Sequence, residues 1–205
     1  MCIRDRTDTD DAEGEHILSK AITCSDEEAC KKLLSFLGSS MQQPPIYSAL
    51  KVQGKPMYKY AREGVKVEKA PRAIEIKAIE HISINLPKIS FEISCSKGTY
   101  IRSIARDLGE LLDCGGHLSA LKRLTQQEFL VNDAKKIDEI TELDIIPLEQ
   151  AFSHLGSVNL PEEKLKKFIN GSTVDLGLSE SGLLRAYNAA GVFIALGRNS
   201  SEGFK

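Results

Sequence analysis

Tryptophan is absent from this 205-residue chain, and aromatic residues make up only 6% of it, so any stacking chemistry must rest on a few tyrosines and phenylalanines. No apolar run approaches the roughly 18 residues of a membrane-spanning helix, so no membrane partner is expected. The first six residues carry charge with no apolar stretch behind it, unlike a secretory leader. The cysteines (Cys2, Cys24, Cys30, Cys95 and Cys114) are odd in number and scattered. That excludes a disulfide-built scaffold and fits reduced thiols in a cytoplasm. Phosphate-cradling glycine loops, the zinc-protease helix and the serine nucleophile elbow are all missing, which leaves a nucleotide cofactor without support. One spacing suggests a metal, Cys114-Gly-Gly-His117, but no second pair stands at a structural-zinc distance, and no metal site is expected.

What the chain has is an ordinary globular balance, 41% hydrophobic and 27% charged, arranged in blocks. Residues 1–28 carry 3 basic and 9 acidic side chains, residues 29–123 carry 16 and 8, and residues 124–205 carry 8 and 12. A basic middle inside a near-neutral protein suits a polyanion bound on one surface, and equally a solvated lysine face.

Periodicity places the elements. Met1–Arg6 fits neither a strand nor a capped helix and reads as a non-native scar. His16–Ile22 reads as a short strand. Ser25, with Glu28 three residues on, opens a helix whose apolar positions run through Leu37 to Gly38. Pro44-Pro45 stiffens the following loop. Ser48–Gln53 reads as a strand and Met57–Glu63 as a short helix. Alternation from Ile74 to Ile84, with a bulge near Ile79-Glu80, and again from Ile89 to Cys95 predicts two paired strands. Ile101, Ile104, Ala105, Leu108, Leu111 and Leu112 form a helical stripe. Leu118–Leu124 reads as another buried element. A boundary is expected near Pro147–Gly156, and short apolar segments between glycines beyond it suggest a small β-barrel or a part of one.

Two stretches carry candidate chemistry. In Ser96-Lys-Gly-Thr-Tyr-Ile-Arg-Ser103 a strand gives way to a helix, and Tyr100 and Arg102 project past the sheet edge. A ring and a guanidinium there suit a planar base with a carboxylate or phosphate. The alternative is a structural tyrosine, with Arg102 bridging Asp107 or Glu110. In Gln43–Arg62 three tyrosines alternate with Lys51, Lys55, Lys59 and Arg62, a mixture found on RNA-binding surfaces and also on lysine-rich hairpins over core tyrosines.

Taken together, Thr7-Asp-Thr-Asp-Asp-Ala-Glu-Gly14, Gln43-Pro-Pro-Ile-Tyr-Ser-Ala-Leu-Lys-Val-Gln-Gly54, Tyr60-Ala-Arg-Glu-Gly64, Ser96-Lys-Gly-Thr-Tyr-Ile-Arg102, Asp107-Leu-Gly109 and Cys114-Gly-Gly-His117 resemble the bacterial TruB-type tRNA pseudouridine-55 synthases. The resemblance covers about residues 7–150. From Val158 to Gly197 the chain resembles that family's PUA-like RNA-binding domain. The resemblance implies an α+β catalytic fold, a mixed and mostly antiparallel sheet flanked by helices, over 7–150, followed by a partial PUA-like barrel over 156–205. It implies isomerisation of uridine in the T-arm of tRNA, with no cofactor and no protein partner. It implies that Tyr100 lies in the active site, that Arg102 pairs with the catalytic aspartate and that Leu121 lines the uracil pocket. Lys51, Lys97, Lys122 and Arg123 are implied contacts to the RNA backbone. The family's catalytic aspartate lies in a G-x-L-D-like segment upstream of the T-D-T motif, and this chain has none. The expectation is an N-terminally truncated synthase, clipped also after Lys205, that is inactive as written; the alternative is an RNA-binding or tRNA-folding module without chemistry.

Overall fold

A computed structural model describes all 205 residues, which divide into two compact units, Met1–Glu128 and Phe129–Lys205. The division falls earlier than the boundary suggested by the apolar pattern.

The first unit contains β1 (Asp5–Thr7), β2 (His16–Ser19), α1 (Asp26–Leu34), β3 (Gly38–Gln42), β4 (Lys51–Val52), β5 (Lys55–Pro56), α2 (Met57–Arg62), β6 (Arg72–Asn85), β7 (Lys88–Cys95), α3 (Ile101–Leu111) and β8 (Thr125–Gln126). Its main sheet has the order β3-β6-β7, antiparallel throughout. The long alternation is why β6 can serve both neighbours: Ile74 and Ile76 are buried while Glu75 and Lys77 are exposed. The expected irregularity is there, with register shifts between Ile76 and Ala78 and between Glu80 and Ser83. His81 takes the left-handed φ of 51° that such a kink requires.

The helices bury what the pattern predicts. Ser25 caps α1 by accepting the Glu28 N–H at 3.2 Å, and Ala29 and Leu33 enter the core. The helix stops at Leu34, and Gly38 instead opens β3 at φ 93°. Ile104, Ala105 and Leu108 of α3 are almost fully buried. The Cys114–His117 turn packs against that helix so closely that a methyl group at Gly116 would collide with the Ala105 carbonyl. These glycines permit close backbone approach. Cys114 Sγ donates to the Ile3 carbonyl at 2.5 Å, and His117 Nδ1 lies 2.7 Å from the Asp5 carbonyl.

Met1–Arg6, whose pattern fits neither a strand nor a capped helix, packs into this unit and ends in a strand, and the buried element expected at Leu118–Leu124 is corrected. Met1 and Ile3 are buried, Cys2 bridges both Lys88 and His117, and Asp5 opens the antiparallel β1–β2 pair. The alternating Met-Cys-Ile-Arg-Asp pattern is a strand edge too short to register by periodicity. In Leu118–Leu124, only Leu118 is buried; Leu121 is 63% exposed and no regular element forms. Apolar side chains are common on surfaces, so an apolar run alone does not establish burial.

The second unit contains β9 (Phe129–Leu130), three short 3-10 turns between Val131 and Asp144, α4 (Leu148–Ala151), β10 (Ser157–Asn159), α5 (Glu162–Ile169), β11 (Gly182–Tyr187), β12 (Phe193–Ser200) and β13 (Gly203–Phe204). Strands β10 to β13 form one curled half-barrel sheet, parallel at β10–β11 and antiparallel elsewhere. Its core is small: Leu160, Val174, Ala186 and Phe204, with Phe168 stacked on Phe204 at 5.2 Å between ring centroids. Gly197 is required there because a methyl group would enter the Phe204 ring.

Candidate functional site

The site is built around the start of α3. Strand β7 ends at Cys95, and Gly98, at φ 86°, turns the chain toward the helix. Tyr100 is the N-cap residue, with extended backbone and no side-chain cap bond. The Gln42 side chain secures this point in both directions: its Oε1 accepts the Tyr100 N–H at 2.8 Å and its Nε2 donates to the Tyr100 carbonyl at 3.1 Å. One face of the Tyr100 ring is covered by the Arg72 guanidinium, 4.7 Å from the ring centre. Arg72 also donates to the Gly98 carbonyl.

Arg102, in the first turn, reaches two loops at once. Nη1 donates to Asp11 Oδ2 at 3.0 Å and to the Thr9 carbonyl at 3.3 Å, while Nη2 donates to the Tyr47 carbonyl at 3.0 Å. The pairing with Asp107 or Glu110 considered above does not occur. Asp107 is held by Arg106 at 2.7 Å, and Glu110 by Arg6 at 3.1 Å. Asp11 Oδ1 is occupied as well, accepting from Thr9 Oγ1 at 3.1 Å and from the Glu13 N–H at 3.2 Å.

Two open cavities adjoin the Arg102–Asp11 pair. The larger, about 570 Å³, is lined by Thr9, Asp11, Glu13, Tyr47, Ser48, Ala49, Tyr58, Arg62, Tyr100 and Arg102. The smaller, about 380 Å³, is lined by Asp11, Ala12, Glu13, Arg102 and the run Leu118–Leu121. Arg102, Asp11 and Glu13 belong to both. The combination is an aromatic wall, a guanidinium partly open to solvent and a carboxylate beside it. Chemically it can stack a planar ring, donate hydrogen bonds to its edge and present a negative oxygen.

Electrostatics differ sharply over a few residues. Burial pushes the Asp10 carboxyl up, against the opposing pull of Arg106 and Arg6. Burial also raises Asp107, again opposed by Arg106. Asp5 goes the other way, held at about 2 chiefly by its hydrogen bond from Arg4. The Tyr47 hydroxyl is pushed up by burial, with the Asp8 charge adding to the effect.

Of the residues singled out from sequence, Tyr100 and Arg102 share the larger cavity, and Leu121 lies on the smaller one, next to Arg102. Lys51, Lys97, Lys122 and Arg123 are exposed and line neither cavity. Lys51 offers its carbonyl to Lys69 Nζ at 2.8 Å, and Arg123 donates to Gln126. Sequence reasoning singled out neither Asp11 nor Arg106. The available signal was Gly14, where a methyl group would strike the side chains of Thr9 and Asp8. A glycine required at that place marks a tightly wound loop with its polar side chains turned inward.

Residues 1–101 match a family profile described as "TruB family pseudouridylate synthase (N terminal domain)". A tRNA pseudouridine synthase B from Clostridium kluyveri is 36% identical over 208 residues, covering 97% of this chain and 72% of that protein. One from Thiobacillus denitrificans is 37% identical over 199 residues, covering 93% and 66%. Among solved structures, a chain of a Cbf5–Nop10–Gar1 complex matches 85% of this chain and 55% of its own length, with TM-score 0.61 and 22% identity. A chain of an H/ACA ribonucleoprotein bound to a substrate RNA containing 2'-deoxyuridine matches 85% and 54%, with TM-score 0.59 and 19% identity. At those identities the structural likeness speaks for the fold. No helix is long and apolar enough to cross a membrane.

Proposed function

The chain belongs to the TruB pseudouridylate synthase family, and on that premise we propose that its Arg102 cavities take a uridine flipped from the T-arm of tRNA. The observation that carries this reading is the position of Arg102, which divides its guanidinium between Asp11 and the Tyr47 carbonyl where two cavities meet. Tyr100, Tyr47 and Tyr58 supply the faces a planar base stacks on, and recovering the few kcal/mol lost on flipping needs such stacking together with edge hydrogen bonds. Leu121 gives the smaller cavity an apolar lining. Lys51, Lys97, Lys122 and Arg123 stand outside the cavities, where phosphates of a docked stem would run. The reaction needs no cofactor: the glycosidic bond breaks, the base turns and it rejoins the sugar through carbon.

The 205 residues alone are proposed to bind but not to isomerise. The carboxylate facing Arg102 is Asp11, and both its oxygens are engaged, Oδ1 within its own loop and Oδ2 with Arg102. One observation favours the contrary reading: Asp11 is the carboxylate that Arg102 pairs with, and it lines both cavities. Tritium release from a T-arm stem-loop labelled at uridine C5 separates the two. Turnover that disappears in Asp11→Asn makes Asp11 the nucleophile; no turnover with intact binding supports the positioning role. Binding itself should weaken with salt. About four phosphate contacts on a loop-rich target give a log–log slope near −3, and a flat response would reject the RNA reading.

A further inference from the structure

We propose that Arg106 is the positioning residue of this site, a buried guanidinium that ties the Thr7–Gly14 loop and the Gln43–Tyr47 loop to one face of α3 and so sets Asp11 and Tyr47 against Arg102. Its side chain is only 9% exposed. Nη2 donates to the Gln43 carbonyl at 3.0 Å, Nη1 to Asp10 Oδ2 at 3.4 Å, and Nε to Asp107 Oδ1 at 2.8 Å.

Both loops need an outside anchor, for separate reasons. Pro44 and Pro45 have no N–H, so the loop that starts at Gln43 is held through its carbonyls. Gln43 O accepts from Ser103 Oγ at 3.1 Å as well as from Arg106, and Tyr47 O accepts from Arg102. The other loop passes through Asp10 at φ 60°, a conformation that L-residues other than asparagine and aspartate seldom take. The Asp10 carboxylate is buried; Arg6 Nε lies 3.5 Å from its Oδ1 as an ion pair without a hydrogen bond, and Arg106 supplies the hydrogen bond to Oδ2. Asp11 is the next residue. Arg102 and Arg106 are one turn apart on the same helix face, so the residue that fixes the loops and the residue that uses them move together.

Arg106 touches neither cavity, so its effect passes through the two loops. A side chain that merely filled the core would be replaced adequately by methionine, and its loss would loosen the unit evenly. The inference rests on the uridine reading of the Arg102 cavities, but its test is run without RNA.

Residue-resolved amide exchange on the full chain is the measurement. In Arg106→Met, the Asp10 and Gly14 amides of one loop and the Ser48 amide just beyond the other should exchange at least about tenfold faster, with β6–β7 amides within about threefold of the parent protein. Arg106→Lys should restore the Asp10 loop, because an ammonium still meets that carboxylate. It should leave Ser48 fast, because one point charge cannot replace a planar fork. The Asp11 carboxyl carbon resonance should move in Arg106→Met although the two side chains do not touch.

Even acceleration across both loops and the sheet would overturn the proposal, as would a change confined to one loop in Arg106→Met. Should that variant fail to fold, Asp10→Asn decides. It must quicken Asp10 and Gly14 and spare Ser48; any other pattern counts against the clamp. A chain that shows the two-loop pattern yet binds no T-arm RNA ends the uridine reading and leaves the clamp standing.

Discussion

The two units hold their side chains in opposite ways. The first gathers buried apolar residues from its N-terminal segment, two helices, two strands and the turn after α3, Met1, Ile3, Leu33, Ile76, Ile104 and Leu108 among them, and sets charged groups into their margin. The second rests on four buried apolar residues, one of which, Phe204, comes from its final strand. Redundant packing lets the first unit bear the cost of a buried Arg106 and Asp10, since the loss of one contact leaves many neighbours in place. The second unit has a smaller reserve, the partly buried Val158, Leu165, Phe168, Leu176 and Leu184 around those four residues.

The sharpest way to break that comparison is Phe204→Ala. Removing a buried aromatic costs about 3–5 kcal/mol, and here only that smaller reserve exists to absorb it. Proteolysis followed by mass spectrometry should show cleavage between Phe129 and Lys205 while Met1–Glu128 stays protected. Simultaneous loss of both units would mean that they do not stand separately.

Next in size is Arg102→Ala, which tests the first unit's use of its reserve. In any longer form of the protein that isomerises uridine, the single-turnover rate should drop by about a hundredfold or more, close to 3 kcal/mol at 1.4 kcal/mol per factor of ten. The fold should survive, and T-arm binding should change far less than the rate. Arg102→Lys should recover only part of the loss. A near-normal rate would remove Arg102 from the chemistry.

A smaller effect lies in the pH dependence. Asp5 titrates at about 2 in the folded protein, below the usual value of about 3.9. Ionised Asp5 therefore favours the fold above about pH 4, and that contribution is lost as the pH falls from about 4 to about 2. Asp10 and Asp107, raised by burial, run the other way: their contribution is complete below about pH 4 and is lost as the pH rises through their folded values. Urea midpoints across pH should show Asp5→Asn flattening the acid limb and Asp10→Asn flattening the limb above pH 4. Identical curves for the two variants would contradict these opposite environments. The least effect belongs to Lys20→Ala, which breaks the exposed 2.9 Å pair with Asp113 and should leave the midpoint unchanged within error.

How much was legible in the sequence follows from how local each feature is. The Ile74–Ile84 and Ile89–Cys95 alternations and the α3 stripe were readable because their period is written in adjacent residues. Tyr100 and Arg102 were readable because a glycine turn between strand and helix leaves a characteristic string. The Arg102–Asp11 pair spans 91 positions and the Arg106–Asp10 pair 96, and no window of sequence contains either. The buried N-terminal strand failed for a different reason. Three residues of β1 are too few for a pattern; β1 is settled by its pairing with β2, and Met1–Ile3 ahead of it by what the β6–β7 turn and His117 offer.

The paired hydrogen bonds between Gln42 and Tyr100 give the chain a means of rejecting its own folding errors. Gln42 is the inward residue at the end of β3, next to exposed Met41. If β3 slipped by one position along β6, Gln42 would turn to the opposite face. The Tyr100 N–H and carbonyl would then lose both partners at the entrance to α3. A mis-registered sheet is penalised where the site begins, so molecules with the wrong strand alignment are also molecules without a formed site.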